Sequence, residues 1–129
     1  MDDLFLCGTA SCPEVDFRIS EHRLALRGES YPENAAAFYG PLIERLRTYL
    51  ERLREAEVTV DVALRYFNSS STKLLFNLFG MLNEAARSGN TVVVRWHYDP
   101  DDDNMSEFGQ ELKMDFADIR FLDAPLGDA

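Results

Sequence analysis

Long apolar runs are missing from this sequence. No stretch approaches the ~20 residues that a membrane-spanning helix needs, and the N-terminus has no basic-then-apolar export pattern. Cysteine is scarce: Cys7 and Cys12 are the two present. Without an export signal they are expected to stay reduced, and with no second Cys/His pair near them they make a poor zinc site. Basic residues are outnumbered, 13 Lys and Arg against 23 Asp and Glu, for a formal net charge of −10. Phosphate backbones dominate nucleic-acid affinity, so this balance argues against a general DNA or RNA binder, and anionic membrane surfaces are disfavoured likewise. What remains is a cytoplasmic protein with acidic surfaces suited to other proteins.

The composition is that of an ordinary globular chain, 46% hydrophobic and 28% charged. At 129 residues it is expected to form one domain over 1–129, with a loose tail from about 123. Leu4-Phe5-Leu6 reads as a short edge strand. Val15–Ser20 and Arg23–Gly28 alternate apolar and polar residues around Glu21-His22, as in a hairpin with one wet face, although no Gly or Asn marks the turn. Tyr31-Pro32-Glu33-Asn34 leads into a helix with an apolar stripe of Phe38, Leu42, Leu46, Tyr49, Leu50 and Leu53. Gly40-Pro41 should kink that helix or mark a later start.

Val58–Phe67, rich in β-branched and aromatic residues, predicts a strand. Leu74, Leu75, Leu78, Phe79, Leu82, Ala85 and Ala86 then recur at helical spacing, which predicts a helix over about 72–87, stopped by Ser88-Gly89-Asn90. Thr91–Trp96 is nearly continuous apolar sequence, the pattern of an interior strand covered on both faces. Asp101, Asp102 and Asp103 open a third helix through about Met114, and 116–122 reads as a last strand. The expected fold is α/β: a mixed sheet of five to six strands with three helices.

Between the strand at 58–67 and the helix after it stand Asn68, Ser69, Ser70, Ser71 and Thr72. Each is a good helix cap, and capping needs only one of them. Five in succession read as an exposed polar lip at a helix N-terminus, where unpaired N–H groups and the helix dipole favour an anion. A phosphorylated serine there would meet both. A second reading is a small hydrolase using one of the serines, His97 and an aspartate. Against it, neither a Gly-x-Ser-x-Gly elbow nor a glycine-rich oxyanion loop is present. His97 with Asp99 and Asp101–Asp103 matches no metal-ligand spacing, so no metal or cofactor is expected.

Three blocks, Gly28–Asn34, Tyr66–Ser71 and Arg95–Asp99, resemble in order and spacing the hallmark segments of the SiaC-type regulatory phosphoproteins. These are small bacterial proteins with a fold similar to STAS-domain anti-sigma-factor antagonists. The resemblance implies a non-enzymatic switch, phosphorylated by a dedicated protein kinase and dephosphorylated by a PP2C-like phosphatase. Its unphosphorylated form would bind and activate a partner, a diguanylate cyclase in cyclic-di-GMP signalling or biofilm control, with an anti-sigma-factor-type partner switch as the alternative. In the family a Thr or Ser directly follows the Asn of the strand-end block. That position is Ser69 here, with Ser70 as second choice. Asn68, Ser70 and Ser71, together with Tyr31, Glu33, Asn34, His97, Tyr98 and Asp99, would then form the partner surface. Alternation along its strand should send Trp96 and Tyr98 to one face and His97 to the other.

Overall fold

The computed structural model describes residues 3–125. Six strands lie in one sheet in the order of the chain: β1 (Leu4–Leu6), β2 (Glu14–Arg18), β3 (Arg23–Ser30), β4 (Glu57–Phe67), β5 (Thr91–Tyr98) and β6 (Arg120–Pro125). The first three pair antiparallel; β3 through β6 pair parallel. Helices α1 (Ala35–Glu51), α2 (Ser69–Arg87) and α3 (Asp103–Asp115) make the three crossovers. Each crossover steps one strand in the same direction, and right-handed crossovers that never reverse direction must place every helix on the same face.

Burial agrees with that rule. Val58, Val60, Val62 and Leu64 of β4 and Val92, Val94 and Trp96 of β5 share one core with Leu42 and Leu46 of α1, Leu75, Leu78, Phe79 and Leu82 of α2, and Leu112 of α3. Each such large apolar side chain contributes about 1.5–3 kcal/mol on burial. The expectation that β5 is covered on both faces is therefore corrected: Val93, Arg95 and His97 alternate onto the face away from α1, α2 and α3 and are only partly buried. Gly109 on α3 is required by the cover on the other side. A Cβ there would lie 2.8 Å from the Trp96 ring, whose Nε1 donates to the Met105 carbonyl at 3.0 Å.

Element order and number match the expectation; several boundaries do not. The link between β2 and β3 is longer than two residues. A 3-10 turn at Ile19–Glu21 precedes His22, whose φ of 56° supplies the left-handed residue that a Gly or Asn would otherwise give. Helix α1 runs unbroken through Gly40-Pro41, so there is no later start, and Asn34 caps it by accepting from Ala37 N at 3.1 Å. The last strand begins at Arg120, not Phe116, because Phe116 still bonds back to Leu112 at the end of α3. It continues to Pro125, through the stretch expected to be a loose tail; the rest of that tail, 126–129, lies outside the described residues.

Candidate functional site

The end of β4 is built by a register shift. Gly28 pairs with Leu64 but Glu29 pairs with Tyr66, so Arg65 is an extra residue bulged out of β4. Up to Leu64 the even-numbered residues point into the core. Past the bulge Phe67 does, packing on Phe108 with ring centroids 4.6 Å apart. Tyr66 is thereby left exposed, edge-on to Tyr31 at 5.6 Å. Strand β3 ends at the same level, and Asn68 N donates to the Ser30 carbonyl at 3.0 Å. The segments Tyr31–Asn34 and Asn68–Ser70 thus lie side by side at one end of the sheet.

Asn68 is the cap of α2. Its Oδ1 accepts from Ser71 N and from the Ser70 hydroxyl, both at 3.0 Å, and its carbonyl accepts from Thr72 N at 3.1 Å. The helix therefore begins at Ser69, three residues earlier than the apolar periodicity predicts, because a strong Asx cap overrides weak serine propensity. The three serines then separate. Ser69 and Ser70 are exposed, and among the described residues the Ser69 hydroxyl has no hydrogen-bond partner. Ser69 N and Ser70 N are first-turn donors without an intrahelical acceptor.

Ser71 turns inward and is 0% exposed, so in this fold its hydroxyl offers no surface to a partner. It accepts from Ser30 Oγ at 2.9 Å, and Ser30 Oγ lies 2.5 Å from Tyr39 Oη. Ser30 and Tyr39 are also fully buried. Burial pushes the Tyr39 phenol above its ordinary value, against the opposing effect of the Ser30 bond. The sequence marks Ser30 only as one member of the Gly28–Asn34 block and gives Tyr39 no mark of its own, since the hydroxyls that meet come from positions 30, 39 and 71. The signal for Tyr39 was only its place beside the α1 stripe.

The Arg95–Asp99 block is divided. Trp96 is core and Tyr98 packs at its margin. Asp99 holds the turn before α3, its Oδ1 accepting from Asp101 N at 2.9 Å, while Asp102 is the helix cap. His97 is not brought to the serine lip. It lies on the uncovered face, Nε2 2.9 Å from Asp61 Oδ1, where Arg95 also donates Nη2 to Asp61 Oδ2 at 3.0 Å. The Arg95 Nε lies 2.9 Å from Oδ1 as a close ionic contact, off the line of a hydrogen bond.

Along α2, Ser69, Lys73, Phe76 and Gly80 recur on one face of the helix. That face borders a groove of about 730 Å³ between α1 and α2, floored by Ile43, Leu50, Phe76 and Met81 with Arg47 and Glu84 on its walls. Among the described residues no helix is long and apolar enough to cross a membrane.

Comparison with known proteins agrees with this picture. The family model described as SiaC family regulatory phosphoprotein matches residues 6–125. An uncharacterised protein of Pseudomonas aeruginosa strain UCBPP-PA14 is 33% identical over 115 residues, covering 89% of this chain and 90% of the relative. The crystal structure of apo-SiaC from Pseudomonas aeruginosa superposes with a TM-score of 0.87 at 32% identity, covering 96% of this chain and 99% of that one. A chain in the crystal structure of the Pseudomonas aeruginosa diguanylate cyclase SiaD in complex with its activator SiaC superposes with a TM-score of 0.88 at 31% identity, covering 96% and 100%.

Proposed function

This chain belongs to the SiaC family of regulatory phosphoproteins, and on that premise we propose that it is a non-enzymatic cytoplasmic switch whose state is a phosphate on Ser69. The observation that carries the reading is the position of that hydroxyl. Ser69 is the first residue of α2, exposed, next to the capping Asn68 and unbonded. A protein kinase can approach it without unfolding the helix. The phosphate would sit against two free first-turn N–H groups and the positive end of the helix dipole.

The output partner is a diguanylate cyclase. SiaC of Pseudomonas aeruginosa is the activator of such an enzyme, SiaD, and the likeness to this chain spans both proteins almost completely. In the unphosphorylated state the cyclase packs over the lip formed by Asn68, Ser69 and Ser70 and by Tyr31, Glu33 and Asn34 beside it, with Tyr98 and Asp99 one strand away at the same end of the sheet. A hydrated phosphate dianion in that contact is a steric and electrostatic obstacle. A dedicated kinase adds it and a PP2C-like phosphatase removes it, so the chain's affinity for the cyclase follows its phosphorylation.

The test is reconstitution. The purified chain is incubated with its kinase and ATP, the phosphate is located by peptide mapping, and both forms are titrated into the cyclase while cyclic-di-GMP production is followed. The expected result is one phosphate on Ser69, activation by the unmodified form and none by the modified form. Equal activation by both forms would sink the switch.

A further inference from the structure

The three serines after Asn68 are equal in chemistry and unequal in the fold, and the buried hydroxyls account for the difference. Tyr39 Oη, Ser30 Oγ and Ser71 Oγ form a chain of two hydrogen bonds, 2.5 and 2.9 Å long, joining α1, the end of β3 and the first turn of α2. All three residues are 0% exposed. A buried hydroxyl that loses its partner bears its full desolvation cost, so each member holds the others in place. Since Ser71 is the third residue of α2, its bond to Ser30 clamps the first helical turn to the sheet. Asn68 engages the Ser70 hydroxyl at 3.0 Å. Only the Ser69 hydroxyl is left both exposed and uncommitted.

We infer that the Tyr39–Ser30–Ser71 hydroxyl chain is the device that selects the phosphorylation site, keeping the first turn of α2 wound so that Ser69 alone meets the kinase. The inference rests on the reading of Ser69 as acceptor and names what makes it unique. In the transfer the Ser69 oxygen forms a bond to the γ-phosphorus of ATP as the bond from that phosphorus to ADP breaks. The hydroxyl proton leaves to the kinase's base. That geometry needs an oxygen free to stand in line with the leaving group, which the wound turn denies to Ser71.

The chain's residues are positioning residues, and their readout is where the phosphate goes. Wild type, Tyr39→Phe, Ser30→Ala and Ser71→Ala are phosphorylated by the kinase under conditions where each is shown to be folded, and site occupancy is mapped. Amide exchange is followed at Ser71 and Thr72. In wild type the phosphate is expected on Ser69. In Tyr39→Phe and Ser30→Ala the fraction on Ser70 and Ser71 should rise about tenfold or more, with a matching loss of exchange protection in the first turn. In Ser71→Ala the overflow should go to Ser70. Folded variants that keep all phosphate on Ser69 would overturn the inference. If Ser30→Ala does not fold, Tyr39→Phe, which removes a single hydroxyl, decides the matter. Wild type that takes phosphate elsewhere or not at all would instead refute the assignment of Ser69, a separate failure.

Discussion

His97 Nε2 lies 2.9 Å from Asp61 Oδ1 across β4 and β5, on the face of the sheet away from α1, α2 and α3. Ser69 opens a helix that covers the other face. A Ser–His dyad needs hydrogen-bond reach, and here the imidazole is turned to the opposite side of the molecule and engaged by a carboxylate. His97→Ala should therefore leave the rate of Ser69 phosphorylation unchanged, and stability should fall by no more than about 1 kcal/mol, since the pair is partly exposed. The check is a kinase time course with thermal melts. An esterase-type turnover that His97→Ala removes would restore the hydrolase reading.

Asn68 and Ser69 are neighbours with opposite expected sensitivities. Asn68→Ala removes the acceptor for Ser71 N and for the Ser70 hydroxyl, and should cost about 0.5–2 kcal/mol by urea denaturation. Ser69→Ala removes a hydroxyl with no partner and should change stability by about 0.5 kcal/mol or less. A larger loss at Ser69 than at Asn68 would show that the cap is misassigned.

Charge at Ser69 should act on binding before it acts on folding. Ser69→Ala should bind the cyclase constitutively. Ser69→Asp and Ser69→Glu should bind weakly while keeping the circular dichroism and melting temperature of wild type, because an acidic group at a helix N-terminus is tolerated or favoured. Calorimetric titration of each variant, with the phosphorylated protein as the deciding sample, tests this. Tight binding by the folded acidic variants and by the phosphoprotein would mean that exclusion at the lip is not how the switch works.

Lys73 stands one turn after Ser69 on the same face of α2, exposed and in no ion pair among the described residues. Once Ser69 carries a phosphate the two form an i,i+4 pair worth about 0.2–0.5 kcal/mol. Phosphorylation should accordingly stabilise wild type slightly more than Lys73→Ala, and added salt should shrink the difference. Melts of the four species at low and high ionic strength measure it.

Tyr49 sets an alkaline limit. Burial pushes its phenol up to about 12 from an ordinary value of 10, and its hydroxyl lies 2.6 Å from His22 Nδ1. The folded state holds the proton more tightly than the unfolded state does. This contribution is whole below about pH 10 and is lost as pH rises toward about 12. Tyr39 shifts in the same direction. Tyr49→Phe should cost about 0.5–1.5 kcal/mol near neutrality through loss of the His22 bond and should flatten the further fall in stability across that window, as read by urea denaturation at a series of pH values. An unchanged alkaline slope would place the loss elsewhere.

Hydrophobic periodicity was enough to read the order and kind of all nine main elements, because β-branched runs and the α2 stripe are local signals. Tertiary relationships were not readable in the same way. The apolar run Thr91–Trp96 looks like a strand covered twice, yet Val93 faces the open side; direction of crossover, not composition, decides this. The helix start at Ser69 was hidden because five capping residues in succession do not say which one caps. Nothing in the sequence separates Ser71 from the exposed serines, because Ser30 and Tyr39, which enclose it, are distant along the chain. The 3-10 turn at 19–21 has no marker in the sequence, since a histidine takes the left-handed position usually marked by glycine.

Strand order in the sheet is the order of synthesis. Each new strand docks on the one made just before it, so no early segment must wait, unpaired, for a distant one to arrive. Every crossover joins strands that are neighbours in the sheet, and loop closure grows costly only slowly with length. The sheet can be assembled like a wall laid course by course as the chain leaves the ribosome, β1 to β6, with each helix settling on the courses already in place. In that sequence the Tyr39–Ser30–Ser71 bonds can close once α2 has emerged, before the last two strands exist. That order would let the first turn of α2, which carries Ser69, be bonded to the sheet before β5 and β6 are made.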